Sequence, residues 1–272
     1  MIELNKIYNM DCIDGMKLVD DNSIDLIITS PPYNAGIQYD SWNDNMSWQD
    51  YLKWVESWLS QCFRILKDDG RICINHYLCF SPKFDNEIQY KFPLFDIKNI
   101  MDKIGFNVVK LALWDDRSSK QFTAFGSWCS ASSPNIQTPI EGILIGCKKN
   151  WKKESNGTST IDKELFLEGI SGIWDLGTTV GNTIACFPEK LPYMCIQLLS
   201  YENDVVFDPF SGSGTTCYVA KNCNRKYLGF EISKNYYENS LLRMNGCSIK
   251  LNKQLKNINN VDLWGINEIN NK

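Results

Sequence analysis

The stretch Val205-Val-Phe-Asp208-Pro-Phe-Ser-Gly212-Ser-Gly214-Thr-Thr216 decides the fold that we expect for this chain. Its apolar start is typical of a buried strand, and residues 214–223 have the pattern of a helix. Gly212 and Gly214 let the backbone turn tightly, and the helix start behind them presents free N–H groups to a ligand. A second strand, Tyr227-Leu-Gly-Phe-Glu231, ends in an acid that could accept both hydroxyls of a ribose or cap the next helix. The series predicts a site for an adenosine-containing cofactor.

Strands and helices alternate on the N-terminal side of this unit as well. Apolar runs and apolar periodicity predict strands at 24–29, 71–75, 107–114 and 142–146, and helices at 47–67, 96–104, 191–199 and 235–244. Such alternation is typical of an α/β fold with a mainly parallel sheet and helices on both faces. Residues from about 115 to 185 break the rhythm, so we interpret them as an insertion into a single domain spanning 1–272.

A rigid corner follows the strand at 24–29, where the sequence reads Thr29-Ser30-Pro31-Pro32-Tyr33-Asn34. The prolines fix φ, so the Ser30 side chain and the Pro31 carbonyl can be held as acceptors at the sheet edge that binds ligands. Two acceptors on the hydrogens of an exocyclic amino group would localise the nitrogen lone pair. Tyr33 offers an aromatic face to a base, which must first leave the duplex. Alone, the diproline fits an ordinary strand end with a surface tyrosine equally well.

Together, the two motifs resemble those of the amino-methylating DNA methyltransferases, specifically the β group with permuted motif order. In that group the Ser/Asp-Pro-Pro-Tyr motif comes first, then a target-recognition region, then the cofactor motif. The same order appears here as Ser30–Tyr33, residues of about 115–185, and Asp208–Gly214. The resemblance implies a Rossmann-like fold with a seven-stranded sheet. It also implies site-specific methyl transfer from S-adenosylmethionine to an exocyclic amino group of a flipped-out base in double-stranded DNA.

The resemblance also implies roles for individual residues. The implied catalytic residues are Ser30, Pro31, Pro32 and Tyr33. The implied cofactor-binding residues are Asp11, Lys190, Asp208, Phe210, Ser211, Gly212, Ser213, Gly214, Thr215 and Glu231. Among these, Asp11 would contact the adenine and Glu231 the ribose. Lys190 would pair with the methionine carboxylate, although a surface lysine at a helix start explains it almost as well.

Contact with DNA is predicted for a basic run and for one further tryptophan. The residues are Lys148, Lys149, Trp151, Lys152, Lys153 and Trp128. A solvated face is an equally good interpretation of any single lysine. The formal net charge of −4 argues mildly against a nucleic-acid partner, although a local basic face can still bind phosphates.

The choice of target base stays open between two amines. Within the family, Ser-Pro-Pro-Tyr leans toward N4 of cytosine and Asp-Pro-Pro-Tyr toward N6 of adenine, so Ser30 favours cytosine. Methylation at cytosine C5 would need a cysteine nucleophile, usually after proline, and the chain contains no Pro-Cys dipeptide. RNA and protein-glutamine methyltransferases usually have the opposite motif order with Asn-Pro-Pro-Tyr. Intact Ser30, Tyr33, Gly212 and Gly214 argue against an inactive DNA-binding partner subunit.

The remaining composition indicates an ordinary cytoplasmic protein. The eleven cysteines are scattered without a Cys-x-x-Cys pair, which favours reduced, buried thiols. With a single histidine, we expect no metal site. No apolar stretch reaches the ~20 residues of a membrane span, so we expect no membrane contact. A homodimer and a cognate restriction endonuclease are partners that only the family resemblance suggests.

Overall fold

Buried apolar runs form the strands of this chain in the computed structural model. The structure describes residues 2–37, 39–80, 83–84, 87–88, 90–115, 126–136, 138, 140–177 and 187–246. Residues 116–125 and 178–186 of the predicted insertion lie outside the described residues. No helix in these ranges is both long and apolar enough to cross a membrane.

Strands and helices alternate along most of the chain. The strands are β1 (Lys6–Asn9), β2 (Ile24–Thr29), β3 (Leu66–Tyr77), β4 (Lys83–Phe84), β5 (Glu87–Ile88), β6 (Asn107–Asp115), β7 (Ile140–Cys147), β8 (Ile173–Trp174), β9 (Val205–Asp208) and β10 (Lys226–Glu231). The helices are α1 (Cys12–Met16), α2 (Trp48–Ile65), α3 (Pro93–Ile104), α4 (Lys163–Ile170), α5 (Lys190–Leu199), α6 (Thr215–Asn222) and α7 (Lys234–Met244).

The main sheet confirms the α/β class. Its strand order is β1-β10-β9-β2-β3-β7-β6-β8, and β7 runs antiparallel to both of its neighbours while the other pairs are parallel. The described part of the sheet has eight strands rather than the seven expected. The additional edge strand β8 pairs with β6 through only two residues, Ile173 and Trp174, which is too short to show a period in the sequence.

The core lies on both faces of the sheet because helices cover both. In β2, Ile27 packs toward α1, α2 and α3, whereas Leu26 and Ile28 pack toward α5 and α6. All six residues of β2 are buried, as expected of a central parallel strand. The longest helix, α2, begins at the predicted cap, where the Ser47 side chain accepts from the Asp50 N–H at 3.2 Å.

One edge of this sheet collects the carboxyl ends of several strands. Strands β1, β10, β9, β2 and β3 are parallel, so they all end there. Antiparallel β7 begins at the same edge, since Tyr77 at the end of β3 pairs with Glu141. Residues far apart in the sequence therefore meet at this edge, which we call the carboxyl edge, as ligand sites of open α/β sheets do.

Candidate active site

The Ser30–Tyr33 corner lies at the carboxyl edge, directly after β2. Tyr33 is only 8 % exposed, which excludes the surface tyrosine of an ordinary strand end. Its ring stacks on His76 with centroids 4.0 Å apart, and the Tyr77 ring meets it edge-on at 4.7 Å. One face of the ring is thus covered by protein rather than open to a base.

The corner is anchored through a carbonyl and a histidine. The Tyr51 hydroxyl on α2 donates to the Pro32 carbonyl oxygen at 2.8 Å, so His76 Nε2, 3.2 Å away, must donate to Tyr51. Burial lowers the pKa of His76 to about 3, which keeps its ring neutral. This bond takes up one of the two lone pairs of the Pro32 carbonyl oxygen and holds the corner against α2.

A buried aspartate fastens the loop that follows the corner. Asp44 accepts from the backbone N–H groups of Asn34, Ala35 and Ile37 at 2.8, 2.9 and 3.1 Å. Asn34 adopts the left-handed conformation with φ 54°, which asparagine tolerates. Burial raises the pKa of Asp44 to about 6, although these N–H groups lower it. The sequence does not reveal this role, since the partners are defined only by the folded loop.

A second motif faces the corner from β9. The buried Asp208 carboxylate accepts from the hydroxyl of Thr29 at 2.8 Å and from that of Thr216 at 2.7 Å. Burial raises the pKa of Asp208 to about 6, against the lowering effect of these bonds. Gly212 and Gly214 have φ of 52° and 80°, so the glycines satisfy a left-handed turn that other residues would strain.

Glu231 closes this turn from the end of β10. Its Oε2 accepts from the Gly212 N–H at 2.7 Å, and its Oε1 accepts from the Ser233 N–H at 2.8 Å. Ser233 itself caps α7 by accepting from the Tyr236 N–H at 3.2 Å. Burial raises the pKa of Glu231 to about 7, although both N–H groups lower it. The carboxylate therefore organises the turn and also borders the space above it.

One cavity of about 790 Å³, its open mouth included, lies between the two motifs. Six of the predicted site residues line it: Asp11, Ser30, Pro32, Phe210, Gly212 and Glu231. Asp11 also caps α1, where its side chain accepts from the N–H groups of Ile13 and Asp14 at 2.8 and 3.1 Å. The folded chain thus brings the corner and the glycine turn to a common space.

Other predicted site residues support the cavity without lining it. All of them are buried: Pro31, Tyr33, Asp208, Ser211, Ser213, Gly214 and Thr215. Lys190 also lies outside the lining. Its ammonium donates to Glu168 Oε1 at 2.6 Å and to the Asp175 carbonyl oxygen at 2.7 Å.

Several lining residues were not predicted from the sequence. They are Met10, Cys12, Tyr39, Asp40, Ser41, Trp42, Trp54, Pro209, Phe230, Ile232, Ser233 and Tyr236. Trp42 and Trp54 form an aromatic wall with ring centroids 4.4 Å apart, and Trp54 lies 5.4 Å from Phe210. The only sequence signal was the density of aromatic residues between 39 and 54, which is equally typical of a core helix.

The family model described as DNA methylase, of the N6/N4 type, matches residues 24–242. That span contains both the Ser30 corner and the Gly212 turn. The chain belongs to the N6/N4 DNA methylase family.

Named relatives agree with this membership, and two solved structures share the fold. The type II methyltransferase M.MjaVI of Methanocaldococcus jannaschii is 38 % identical over 62 % of this chain and 88 % of its own length. M.BglII of Bacillus subtilis is 31 % identical over 86 % of this chain and 67 % of its own. A Thermus thermophilus protein complexed with S-adenosyl-L-methionine has a TM-score of 0.73 at 23 % identity, covering 89 % of this chain and 93 % of its own. The cytosine-N4-specific PvuII DNA methyltransferase has a TM-score of 0.70 at 21 %, covering 93 % and 90 %.

The basic run of this methylase does not lie beside the active site. It follows the end of β7, and β7 runs from Glu141 at the carboxyl edge to Cys147 at the opposite edge. Eight residues of strand separate the two edges by roughly 25 Å. The run is placed there because antiparallel β7 reverses the direction of the chain.

Two lysines of this run are structural. The Lys148 ammonium donates to Asn22 Oδ1 at 2.6 Å and to the Leu66 carbonyl at 2.9 Å. The Lys153 side chain is 4 % exposed, and its ammonium lies 2.7 Å from Asp204 and 3.3 Å from Asp25. The prediction that Lys148 and Lys153 contact DNA is therefore wrong, because both ammonium groups are buried among protein acceptors.

The other predicted DNA-binding residues have different surroundings. Lys149 lies 2.8 Å from Asp68, Lys152 is exposed, and the Trp151 ring stacks near the Arg71 guanidinium at 5.4 Å. All three lie at the edge away from the cavity. Trp128 is exposed and belongs to the connection between β6 and β7, which leaves and re-enters the sheet at the carboxyl edge. Of the predicted contacts, Trp128 alone belongs to a connection whose two ends lie at the carboxyl edge.

Replacing Lys153 tests its structural role. We expect Lys153→Met to lower the free energy of unfolding by about 2–3 kcal/mol, because it leaves Asp204 without its ammonium partner while Asp25 keeps Lys67. The matched control is Lys152→Met, which changes an exposed neighbour and should stay within about 0.5 kcal/mol. Urea unfolding of both variants measures the difference, and equal stabilities would contradict the assignment.

Proposed function

We propose that this methylase transfers the methyl group of S-adenosylmethionine to the exocyclic amino group of a base flipped out of double-stranded DNA. The observation that carries the proposal is that Ser30 and Pro32 border the same cavity as Phe210, Gly212 and Glu231. The first pair belongs to the corner suited to holding an amine. The second set belongs to the turn suited to holding an adenosine.

The cavity fits S-adenosylmethionine in its donor set and walls. Glu231 presents a carboxylate for the ribose hydroxyls, and Phe210 with Trp54 forms an aromatic wall for the adenine. Asp11, at the start of α1, borders the same space and would accept from the adenine amine. When bound, the cofactor supplies an electrophilic methyl group on its sulfonium.

The corner residues position the amine that receives this methyl group. The Ser30 hydroxyl oxygen and the Pro31 carbonyl accept the two amine hydrogens, which turns the nitrogen lone pair away from the ring. Tyr51 and Asp44 keep the corner and its loop in place, so the acceptors need no rearrangement during the reaction. Positioning of this kind supplies much of the rate of a direct transfer.

Cytosine N4 is the amine that we propose, and adenine N6 is the alternative. The support is Ser30 as the first residue of the motif, where Asp would favour adenine. We further propose a single domain whose target-recognition region falls within residues of about 115–185, and a cytoplasmic location. A homodimer and a cognate restriction endonuclease are proposed from the family alone.

A surface at the start of α3 is our candidate contact for the duplex. It consists of Tyr90, Lys91, Phe92 and Phe95, with Phe92 and Phe95 53 % and 56 % exposed and their ring centroids 6.2 Å apart. We call it the α3 aromatic surface. Exposed aromatic side chains next to a cation suit stacking on bases and contact with phosphates.

Contacts connect the α3 aromatic surface to the active-site corner. The Lys91 ammonium lies over the Trp48 ring at 5.3 Å, and the backbone of Lys91 bonds that of Phe80 at 2.9 and 3.1 Å. The Phe80 ring lies 5.9 Å from Tyr77, which meets Tyr33. A duplex on this surface would place an extruded base next to the corner.

Identification of the methylated nucleoside tests the proposed function. Unmethylated genomic DNA is incubated with the protein and S-adenosylmethionine, digested to nucleosides and analysed by mass spectrometry. We expect N4-methyldeoxycytidine, reduced about a hundredfold by Ser30→Ala because one amine acceptor is lost. N6-methyldeoxyadenosine would reassign the base. If the protein binds the cofactor but methylates neither base, the proposed function is rejected.

The raised pKa of Glu231 predicts pH-dependent cofactor binding. Only the ionised carboxylate accepts both ribose hydroxyls, so affinity for S-adenosylhomocysteine should fall about tenfold from pH 8 to pH 6, through the pKa of about 7. Glu231→Gln should bind more weakly and show a flat profile. Asp44 and Asp208, with pKa values of about 6, are present in the wild type and in Glu231→Gln alike. Calorimetry on these two proteins therefore isolates the contribution of Glu231 to the pH dependence. An equal slope in the variant would exclude Glu231 as the cause.

The α3 aromatic surface predicts a defect confined to DNA binding. The double replacement Phe92→Ala and Phe95→Ala should weaken binding of duplex DNA about tenfold, since stacking on bases is lost. Trp151→Ala removes an exposed aromatic ring from the opposite edge and should leave the affinity unchanged. Fluorescence anisotropy measures both, with S-adenosylhomocysteine binding as a check on folding. The surface is the wrong one if Trp151→Ala shows the larger loss.

A further inference from the structure

A chain of buried polar side chains lies behind Ser30, outside the cofactor cavity. The Ser30 hydroxyl donates to the Tyr33 hydroxyl oxygen at 2.7 Å, and the Tyr33 hydroxyl donates to Glu141 Oε2 at 3.0 Å. The amide nitrogen of Asn75 donates to Tyr33 at 2.8 Å and to Glu141 Oε2 at 2.7 Å. Glu141, on β7, is 7 % exposed and was not predicted from the sequence.

The amide of Asn75 determines the direction of the hydrogen bonds along this series of polar side chains. Its nitrogen can only donate, and its two hydrogens go to Tyr33 and to Glu141. The reverse orientation of the amide would place its oxygen against the carboxylate. The Tyr33 oxygen therefore accepts from Asn75 and from Ser30, and its own hydrogen must go to Glu141.

The direction of these hydrogen bonds determines which atoms of Ser30 are available to a substrate. Because its hydroxyl hydrogen points to Tyr33, the lone pairs of its oxygen are left for the cavity that Ser30 lines. A substrate amine that donates to Ser30 would then be linked, through two hydroxyl groups, to a buried carboxylate. Each oxygen along this path already holds the hydrogen that it would pass on.

We propose that Glu141 is a positioning residue of the methylase. Its carboxylate is the end of a proton path that runs from the substrate amine through Ser30 and Tyr33. As the amine nitrogen forms its bond to the methyl carbon, the carbon–sulfur bond breaks and its electron pair stays on sulfur. The nitrogen then loses one proton to the Ser30 oxygen. Ser30 passes its hydrogen to Tyr33, Tyr33 passes its own to Glu141 Oε2, and Glu141 becomes neutral.

Burial explains why the path needs a carboxylate at its end. Desolvation raises the pKa of Tyr33 well above its ordinary value, and the charge of Glu141 raises it further. Tyr33 is thus not a stable anion, and it can take a proton only by handing one on. Glu141 receives that proton at Oε2, the atom to which the Tyr33 hydroxyl already donates.

The test rests on the proposed function and compares single-turnover rates at saturating S-adenosylmethionine and DNA. Glu141→Gln keeps an oxygen that can accept from Tyr33 and Asn75 but cannot take up a proton. We expect its rate to fall at least about tenfold, with dissociation constants for S-adenosylhomocysteine and DNA within about twofold of wild type. A merely structural defect would weaken binding as well.

A double-mutant cycle decides whether Glu141 acts through Tyr33. Tyr33→Phe keeps the ring on His76 and breaks the same path, so the double variant should be no slower than the slower single variant. If the rate losses of the two single variants multiply in the double variant, the proposal is overturned. A Glu141→Gln rate within twofold of wild type would also overturn it. Should Tyr33→Phe fall below detection, the Glu141→Gln rate decides alone. An inactive wild-type protein would instead reject the proposed function.

Discussion

The bond between Asp208 and Thr29 joins the two halves of the candidate active site, which lie 179 residues apart in the chain. Thr29 directly precedes Ser30, and Asp208 begins the glycine turn. The same carboxylate holds Thr216 in the first turn of α6, so it ties two strands and a helix start together. Because Asp208 is buried and accepts hydrogen bonds through both carboxylate oxygens, this contact holds the Ser30 corner against the Gly212 turn.

Other buried polar contacts make the corner rigid from the remaining sides. Tyr51 holds the Pro32 carbonyl from α2, and Asp44 holds the loop after Tyr33. Glu141 and Asn75 hold the Tyr33 hydroxyl from β7 and β3. The Tyr51 hydroxyl, the Asp44 carboxylate and the Tyr33 hydroxyl would be costly to bury unpaired, so these bonds favour a single arrangement of the corner. Such preorganisation is what an enzyme that works by positioning requires.

Charged side chains have different roles at the two edges of the sheet. At the edge opposite the cavity, Lys153 and Lys148 neutralise or satisfy buried acceptors and stabilise the ends of strands. At the start of α3, aromatic side chains such as Phe92 and Phe95 are exposed instead. The acidic net charge is therefore a poor guide to DNA binding, because many of the cations are already paired with carboxylates and the candidate duplex contact depends on a local surface.

The sequence by itself determined the α/β class, the corner at Ser30 and the turn at Gly212, because strand runs, prolines and glycines act on their immediate neighbours in the chain. The tertiary structure decided which side chains meet. Antiparallel β7 lies between β3 and β6, an order that no local pattern encodes. That placement brings Glu141 beside Tyr33 and carries Lys153 to the far edge, so a residue absent from the motifs joins the site and a conspicuous basic run leaves it.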